Sequence, residues 1–227
     1  MNASFIKRNK LLKIFTVIFA FFGVILSLIT ARAEGYSVWY KRLFYFTAQS
    51  NIWIGVTFTA LLFKEKLSQN AKKRLFLLRY IFTVSITVTA LIFCGLLAPF
   101  SDENYTPWTV PNIFTHILTP LFAVADFILD NETIIYKKQI SLVILPPLFY
   151  LLIISILQFF SIDFGRGVPY PYFFTYYNSP AGMFGFSTQR PFFLGTFYWM
   201  FFLLLFVLAL GYVYAYINDK KTSRTRV

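Results

Sequence analysis

Three polar residues near the start of the second apolar stretch have a spacing that would place them on one face of a helix. Thr47, Ser50 and Asn51 are three and four residues apart, which is the spacing of a single helical surface. Polar groups are costly inside a membrane helix, so such a face suggests a functional site. Small polar residues also hydrogen-bond neighbouring membrane helices, and composition alone favours this structural role.

His116 is a candidate for the base that a threonine hydroxyl needs before it can attack a carbonyl carbon. It is the single histidine of the chain, and imidazole is the usual partner of a hydroxyl nucleophile. Thr47 and His116 each lie four residues inside the predicted start of a helix, so regular helices place both at a depth of about 6 Å. A lone histidine also serves as a structural hydrogen-bond donor, and the sequence leaves both roles open.

The oxyanion formed when an acyl carbon is attacked needs hydrogen-bond donors. Asn51 lies one turn from Thr47 on the same predicted face, which makes its amide the best side-chain candidate. Gln49 is less favourably placed by its helical angle, and Ser50 completes this supporting polar set.

Cys94 is a rival to Thr47 as the nucleophile. It is the single cysteine of the chain and is predicted to lie near the outer end of the third helix, where a thiol could react. A buried cysteine that behaves as a small apolar residue is the more common case. One cysteine excludes an internal disulfide. One cysteine and one histidine do not form a usual metal-ligand set, so we expect neither a metal nor a cofactor.

Asp126 is predicted to serve structure rather than catalysis. It follows His116 by ten residues, which is about 15 Å along a helix and about 80° around it, so it cannot orient the imidazole. Asp126 and Arg79 are each predicted to lie four residues from the inner end of a helix. Because a buried charge needs a partner, the sequence predicts an Arg79–Asp126 ion pair.

The elements that must position these residues are six apolar stretches, each close to the length that crosses a bilayer. Of the 227 residues, 58% are hydrophobic and 13% charged, whereas soluble domains have about 25% charged residues. A membrane helix needs about 20 apolar residues. The sequence therefore predicts a single all-α polytopic membrane domain over residues 1–227, with Pro146 and Pro147 kinking the fifth helix. The six predicted transmembrane helices are 11–30, 43–63, 75–98, 112–130, 140–160 and 192–217.

Basic residues give these helices a direction. The net charge is +12, and most of the 21 lysines and arginines fall at the two termini and in loops on one side of the predicted bundle. Because that side is normally cytoplasmic, we expect both termini in the cytoplasm. Basic residues between membrane helices also contact anionic lipid, so nucleic acid is not expected as a partner. The composition is typical of a bacterial plasma membrane protein.

Two segments have alternative interpretations. The first apolar stretch ends at Ala31-Arg32-Ala33, which has the form of a signal-peptide cleavage site, but the apolar run is longer than such peptides usually carry. The long outer loop, 161–191, contains prolines and glycines that exclude a regular helix and many aromatic residues that suit the membrane interface. The sequence supports a lid over a site and a plain interfacial loop equally.

The polar residues form two motifs that resemble those of a known family. The motifs are Phe46-Thr47-x-Gln49-Ser50-Asn51 and His116-x-x-x-Pro120, followed by Asp126. They resemble the androgen-induced and androgen-dependent integral membrane hydrolases, and they are still more similar to the small bacterial relatives with six helices. Those relatives share the Gln-Ser-Asn run and an outer loop like Pro169-Tyr170-Pro171.

The resemblance spans most of the chain and implies an activity. In the animal enzymes an intramembrane threonine and histidine hydrolyse fatty acid esters of hydroxy fatty acids, and the matching residues here are Thr47 and His116. Phe127 departs from the tryptophan of many bacterial members. The wider superfamily includes a branch resembling phospholipid acyltransferases that uses cysteine and histidine, which keeps Cys94 as an alternative.

The sequence thus favours an intramembrane lipid-ester hydrolase with a Thr47–His116 dyad near the outer face. Its expected partner is a membrane lipid or lipid ester, and no oligomeric state is predicted. One alternative is a non-catalytic transporter, lipid-binding or accessory protein whose polar residues bind a ligand or join helices. A second alternative is a lipid acyltransferase that uses the same site.

Overall fold

The computed structural model describes residues 3–100, 106–129 and 132–225, and these residues are helical without a β-strand. Long apolar runs account for this, because a backbone inside a bilayer must satisfy its own hydrogen bonds. The α-helices are α1 Ala3–Thr30, α2 Phe46–Leu62, α3 Gln69–Ile92, α4 Val110–Ile113, α5 Thr119–Leu129, α6 Leu145–Phe159 and α7 Thr196–Thr225.

Five segments are long and apolar enough to cross a membrane, so the chain is an all-α, multi-pass membrane protein. α2 has 17 residues and is about 25 Å long, slightly shorter than a hydrocarbon core of about 30 Å. Large apolar side chains are exposed on the outer surface of the bundle, including Ile29, Leu121 and Leu152. The five segments are Arg8–Thr30, Gln69–Leu97, Val110–Leu129, Lys137–Phe159 and Thr196–Lys221.

Local chemistry moves several helix boundaries away from the predicted ones. α3 begins six residues earlier than predicted because Ser68 caps it, accepting a hydrogen bond from Ala71 N at 3.4 Å. The second predicted helix is divided by Tyr45 into a 3₁₀ helix, Trp39–Phe44, and α2. The predicted end of the fourth helix at position 130 lies outside the described residues.

Pro146 and Pro147, which are predicted to kink the fifth helix, lie where its geometry changes. They lie in the first turn of α6, directly after a 3₁₀ helix at Lys137–Ile144. A proline lacks the N–H group that helix interiors need, but the first turn of a helix leaves its N–H groups unpaired anyway. The prolines therefore mark the change from 3₁₀ to α geometry.

Two π-helical segments interrupt the bundle on one side. Phe93–Leu97 continues α3, and Phe114–Leu118 joins α4 to α5. A π turn widens the helix by one residue and is frequent at functional sites. The segments meet where the ring of His116 stacks on that of Phe93, with centroids 3.9 Å apart and planes at 14°.

α3 is the central helix, with α2, α5 and α7 packed around it, while α1 packs against α2 and α5. One apolar cluster around Phe58 and Ile86 joins α1, α2, α3 and α5. A second cluster around Tyr80 and Phe127 joins α3, α5 and α7. A third joins α2 and α6 to the outer loop and consists of Phe46, Tyr150, Ile154 and Phe164.

The outer loop folds back onto the end of the bundle where α2 begins. Lys41 forms an ion pair with Asp163 at the start of the loop. Gly165 has φ +106°, and a Cβ there would overlap the Tyr36 ring, so only glycine fits this approach. Gln158 Nε2 donates to the main-chain oxygen of Thr175 at 3.0 Å. These contacts bring Tyr172 against the first turn of α2.

Candidate functional site

Thr47 lines a cavity of about 80 Å³ beside the first turn of α2. A cavity needs about 10–15 Å³ to hold one water-sized group, so this space is several times larger than that minimum. Its walls come from α2, α3, α6, α7 and the outer loop and are mainly apolar. The polar side chains among them are Thr47, Thr89, Tyr150, Tyr172 and Thr175.

The Tyr172 hydroxyl is the hydrogen-bond partner of Thr47. It accepts from the main-chain N–H of Thr47 at 3.3 Å and lies 3.3 Å from Thr47 Oγ1. Burial raises the pKa of Tyr172 to about 12, although the hydrogen bonds with Thr47 act in the opposite direction. Tyr172 therefore keeps its proton at neutral pH and is a donor rather than a base.

Ser50 and Asn51 tie the start of α2 to its neighbours. Ser50 Oγ lies 2.8 Å from Thr89 Oγ1 on α3 and donates to Thr47 O at 3.2 Å. Asn51 Nδ2 donates to Thr47 O at 2.8 Å and to Thr115 O at 3.1 Å. The Asn51 amide therefore links the main chain of α2 to that of the π segment Phe114–Leu118.

The donors of Asn51 are thus not free for an oxyanion, contrary to the role suggested by its spacing. Both N–H groups of the amide face main-chain oxygens, while Oδ1 is buried and forms no hydrogen bond with a described residue. Gln49 is also engaged, since its Nε2 donates to Leu43 O at 3.2 Å. Tyr172 takes the place next to Thr47 that the sequence assigned to Asn51.

His116 lies in the π segment Phe114–Leu118 and is 5% exposed. Its Nδ1 is 3.3 Å from Thr89 O. Because a carbonyl oxygen only accepts, Nδ1 carries the proton and Nε2 has the free lone pair. The imidazole is therefore held by α3 in the tautomer whose Nε2 can act as a base.

The structure brings Thr47 and His116 to the same end of the bundle but does not join them. Among the described residues, no hydrogen bond links the two side chains. Thr89 lies between them, because its Oγ1 contacts Ser50 and its main-chain oxygen contacts His116. Thr89 also lines the cavity that contains Thr47. The two residues of the predicted dyad are therefore not in direct contact, and Thr89 on α3 lies between them.

Cys94 has a different environment from Thr47. It lies in the π segment Phe93–Leu97, is exposed, and does not line the cavity. Among the described residues no group of three His, Cys, Asp or Glu side chains is arranged to hold a metal ion.

Arg79 and Asp126 form the ion pair expected from the sequence, at the opposite end of the bundle. Arg79 Nη2 lies 2.6 Å from Asp126 Oδ2, and both side chains are fully buried. Lys13 on α1 adds a second cation, with Nζ 2.7 Å from Asp126 Oδ1. Arg79 Nη1 donates to Thr133 Oγ1, and Asn218 on α7 donates to Thr133 O. One carboxylate thus holds α1, α3 and α5 together.

Sequence reasoning missed three residues that the structure places at these sites. Tyr172 and Thr89 are near Thr47, and Lys13 is near Asp126. A signal for Tyr172 was present in the Pro169-Tyr170-Pro171 loop, which the resemblance had already marked. Lys13 belongs to the basic residues near the N-terminus that predict topology, and its position inside α1 is the signal for a buried role.

Comparisons with known proteins do not extend this description. No family model matches the sequence, and neither the curated proteins nor the solved structures contain a match.

Proposed function

We propose that this chain is an intramembrane lipid-ester hydrolase in which Thr47 attacks the acyl carbon. The observation that carries the proposal is the placement of Thr47 in the wall of a mainly apolar cavity. A cavity of this kind accepts the acyl chain of a lipid and brings its ester carbon to the polar wall. The resemblance of the two motifs to the membrane threonine hydrolases supports the same chemistry.

In the proposed reaction the Thr47 oxygen adds to the ester carbonyl, and its proton passes to Nε2 of His116. The alcohol leaves with the proton that His116 returns to it. Water then gives a proton to His116 as it attacks the acyl-threonine, and His116 passes that proton to the Thr47 oxygen as the fatty acid is released. Thr47 and His116 share no hydrogen bond in this structure, so the transfer requires an intervening water molecule or rotation of the imidazole. A fatty acid ester of a hydroxy fatty acid is the substrate that the resemblance implies. With an alcohol in place of water, the same residues catalyse acyl transfer.

Labelling with a fluorophosphonate probe tests this proposal. We expect the purified protein to be labelled, and labelling to be lost in both Thr47→Val and His116→Ala. Thr59→Val is the matched control on α2, because the Thr59 hydroxyl only donates to Gly55 O in its own helix. If labelling persists in Thr47→Val and disappears in Cys94→Ala, the nucleophile is Cys94 and not Thr47.

A lipid-binding or accessory protein without catalysis is the second candidate. The missing hydrogen bond between Thr47 and His116 favours it, because a preformed dyad would normally show that contact. This candidate predicts binding of acyl lipids without labelling and without ester cleavage. Release of fatty acid from a panel of lipid esters separates the two functions.

We also propose that α2 crosses the membrane, which gives six crossings with both termini in the cytoplasm of a bacterial cell. Two observations support this topology: the basic residues lie mainly on one side, and α1 and α7 both contribute side chains to the Asp126 end of the bundle. Alkaline phosphatase fusions at both termini should be inactive, whereas a fusion in the outer loop should be active. Opposite results for the two termini would refute the topology.

A further inference from the structure

A tyrosine in the cavity wall carries a buried hydroxyl group whose proton the fold itself does not use. Tyr150 on α6 lines the cavity and is 4% exposed. The main-chain N–H of Phe46 is directed at its oxygen, but the hydroxyl donates no hydrogen bond to a described residue. A buried donor without an acceptor costs free energy, so its presence beside a mainly apolar cavity points to an acceptor supplied from outside the protein.

The Tyr150 hydroxyl lies at the positive end of a helix. In the first turn of α2, the N–H groups of Ala48 and Gln49 are bonded to Tyr45 O, and that of Thr47 is bonded to Tyr172. The main-chain N–H of Phe46 faces the hydroxyls of Tyr150 and Tyr172. Helix N-termini attract negative or partially negative oxygen atoms.

Aromatic packing fixes the position of this hydroxyl. The Tyr150 ring contacts Phe46 edge-on, with centroids 5.3 Å apart, and lies 6.2 Å from the Tyr172 ring. The Tyr172 hydroxyl is already engaged with Thr47, so Tyr150 is the tyrosine with a free donor at this point. The donor is therefore preorganised before any ligand enters.

We propose that the Tyr150 hydroxyl, at the N-terminus of α2, is the hydrogen-bond donor to the carbonyl oxygen of an acyl lipid bound in the cavity. The proposal rests on the proposed function only in taking the ligand to be an acyl lipid. The carbonyl oxygen belongs to an ester or to a free fatty acid, since both present the same acceptor. Bound in this way, the carbonyl carbon lies on the cavity wall that contains Thr47.

Three probes with a long alkyl chain test the assignment without any cleavage: palmitic acid, a methyl ketone and a methyl ether. The acid and the ketone present a carbonyl oxygen, whereas the ether has none. Binding of each radiolabelled probe is measured on the full-length protein in nanodiscs, with empty nanodiscs as the background. Tyr150→Phe should weaken binding of the acid and the ketone by roughly fivefold, the loss expected for one neutral hydrogen bond, and leave the ether unchanged.

Thermal unfolding of the same variants distinguishes a ligand role from a structural one. Tyr150→Phe should be as stable as the wild type or more stable, because it removes a buried donor that has no protein acceptor, and the Phe46 N–H still faces the Tyr172 hydroxyl. Tyr80→Phe is the matched control: its hydroxyl donates to Gly211 O at 2.9 Å, so this variant should lose stability and bind all three probes normally.

Four results would overturn the assignment: no binding of any probe to the wild type, equal loss of all three probes in Tyr150→Phe, unchanged binding of the acid and the ketone, or destabilisation by Tyr150→Phe. Loss of only the acid or only the ketone identifies which source of carbonyl is recognised. If fluorophosphonate labelling fails while these binding results hold, hydrolysis is refuted and the carbonyl site remains.

Discussion

The two ends of the bundle differ in what their central polar groups contact. At one end, the carboxylate of Asp126 meets a cation from α1 and a cation from α3 at 2.6–2.7 Å. At the other end, around Thr47, the Tyr150 hydroxyl donates to no described residue and Asn51 Oδ1 accepts from none. The first arrangement holds helices together, and the second includes the hydroxyl that we propose as a donor to a ligand.

This difference teaches how to separate structure from function in a membrane bundle. Both ends contain polar residues inside membrane helices, so the cost of burial alone marks both as functional candidates. The Thr47 end also has a cavity and adjoins two π-helical segments. Substitutions at the Asp126 end should therefore change stability, and those at the Thr47 end should change activity or binding.

The largest stability effect is expected for Asp126→Asn. The substitution removes the anion that the two buried cations Lys13 and Arg79 share, and breaking a buried ion pair in this way typically costs about 3–5 kcal/mol. Chemical or thermal unfolding in detergent measures the change. Glu132→Gln is the control, because the Lys64–Glu132 pair is partly exposed and such pairs contribute about 0–1 kcal/mol. Equal losses of stability in the two variants would show that the buried ion pair contributes no more than the partly exposed one.

His116→Ala should affect activity far more than stability. Loss of a general base typically lowers the rate by about 10²- to 10⁴-fold, whereas the imidazole contributes one hydrogen bond and one ring stack to the fold. The rate of fatty acid release and the unfolding midpoint are measured on the same preparation. If His116→Ala lowers the unfolding midpoint strongly but leaves the rate of fatty acid release unchanged, His116 has a structural role and not a catalytic one.

Ser50→Ala should have a smaller effect, of about 1 kcal/mol. The substitution removes the 2.8 Å contact with Thr89 Oγ1, and a typical internal hydrogen bond contributes about 0.5–1.5 kcal/mol. Thr89 retains its hydrogen bond to Ser85 O at 3.2 Å, which limits the loss. Unfolding measurements should rank this variant between Glu132→Gln and Asp126→Asn, and a larger loss than in Asp126→Asn would contradict the comparison.

The smallest effect is expected at the outer loop and depends on pH. Burial acts to raise the pKa of Asp163, but the Lys41 side chain and the Gly165 N–H outweigh it and hold the pKa below its ordinary value of 3.8. The ion pair therefore stabilises the loop at higher pH, and this contribution is lost as the pH falls through the lowered pKa.

The ratio of pepsin cleavage rates in Asp163→Asn and the wild type reports this loss at each pH. The variant loop should be cleaved faster at about pH 5, and the ratio should approach one at about pH 2. A ratio that does not change with pH would show that the ion pair does not anchor the loop.

The parts of the fold that follow from the sequence are those governed by the bilayer alone. Apolar length determines which segments are long enough to cross, and the cost of an unpaired charge was enough to predict the Arg79–Asp126 pair. The first argument considers one helix at a time. The second needs only the depth of two helices in the membrane.

The remaining features depend on how the helices face one another. The amide of Asn51 is occupied because the π segment Phe114–Leu118 approaches closely enough for Thr115 O to accept from it. The π segments have no signature in the hydrophobic period, and Tyr172 reaches Thr47 only through the path of the outer loop. None of these contacts is determined by residue spacing within one helix. Spacing alone therefore predicts Asn51, and not Tyr172, as the hydrogen-bond donor beside Thr47.

The contact between Lys13 and Asp126 has a consequence for how the chain is made. The two residues are 113 positions apart, so α1 enters the membrane long before its counter-charge has been synthesised. Until then the lysine ammonium must reach for the nearer membrane surface, as long basic side chains do. The Lys13–Asp126 ion pair therefore forms late in biogenesis. α1 packs into the bundle through this contact only after α5 has been synthesised and inserted.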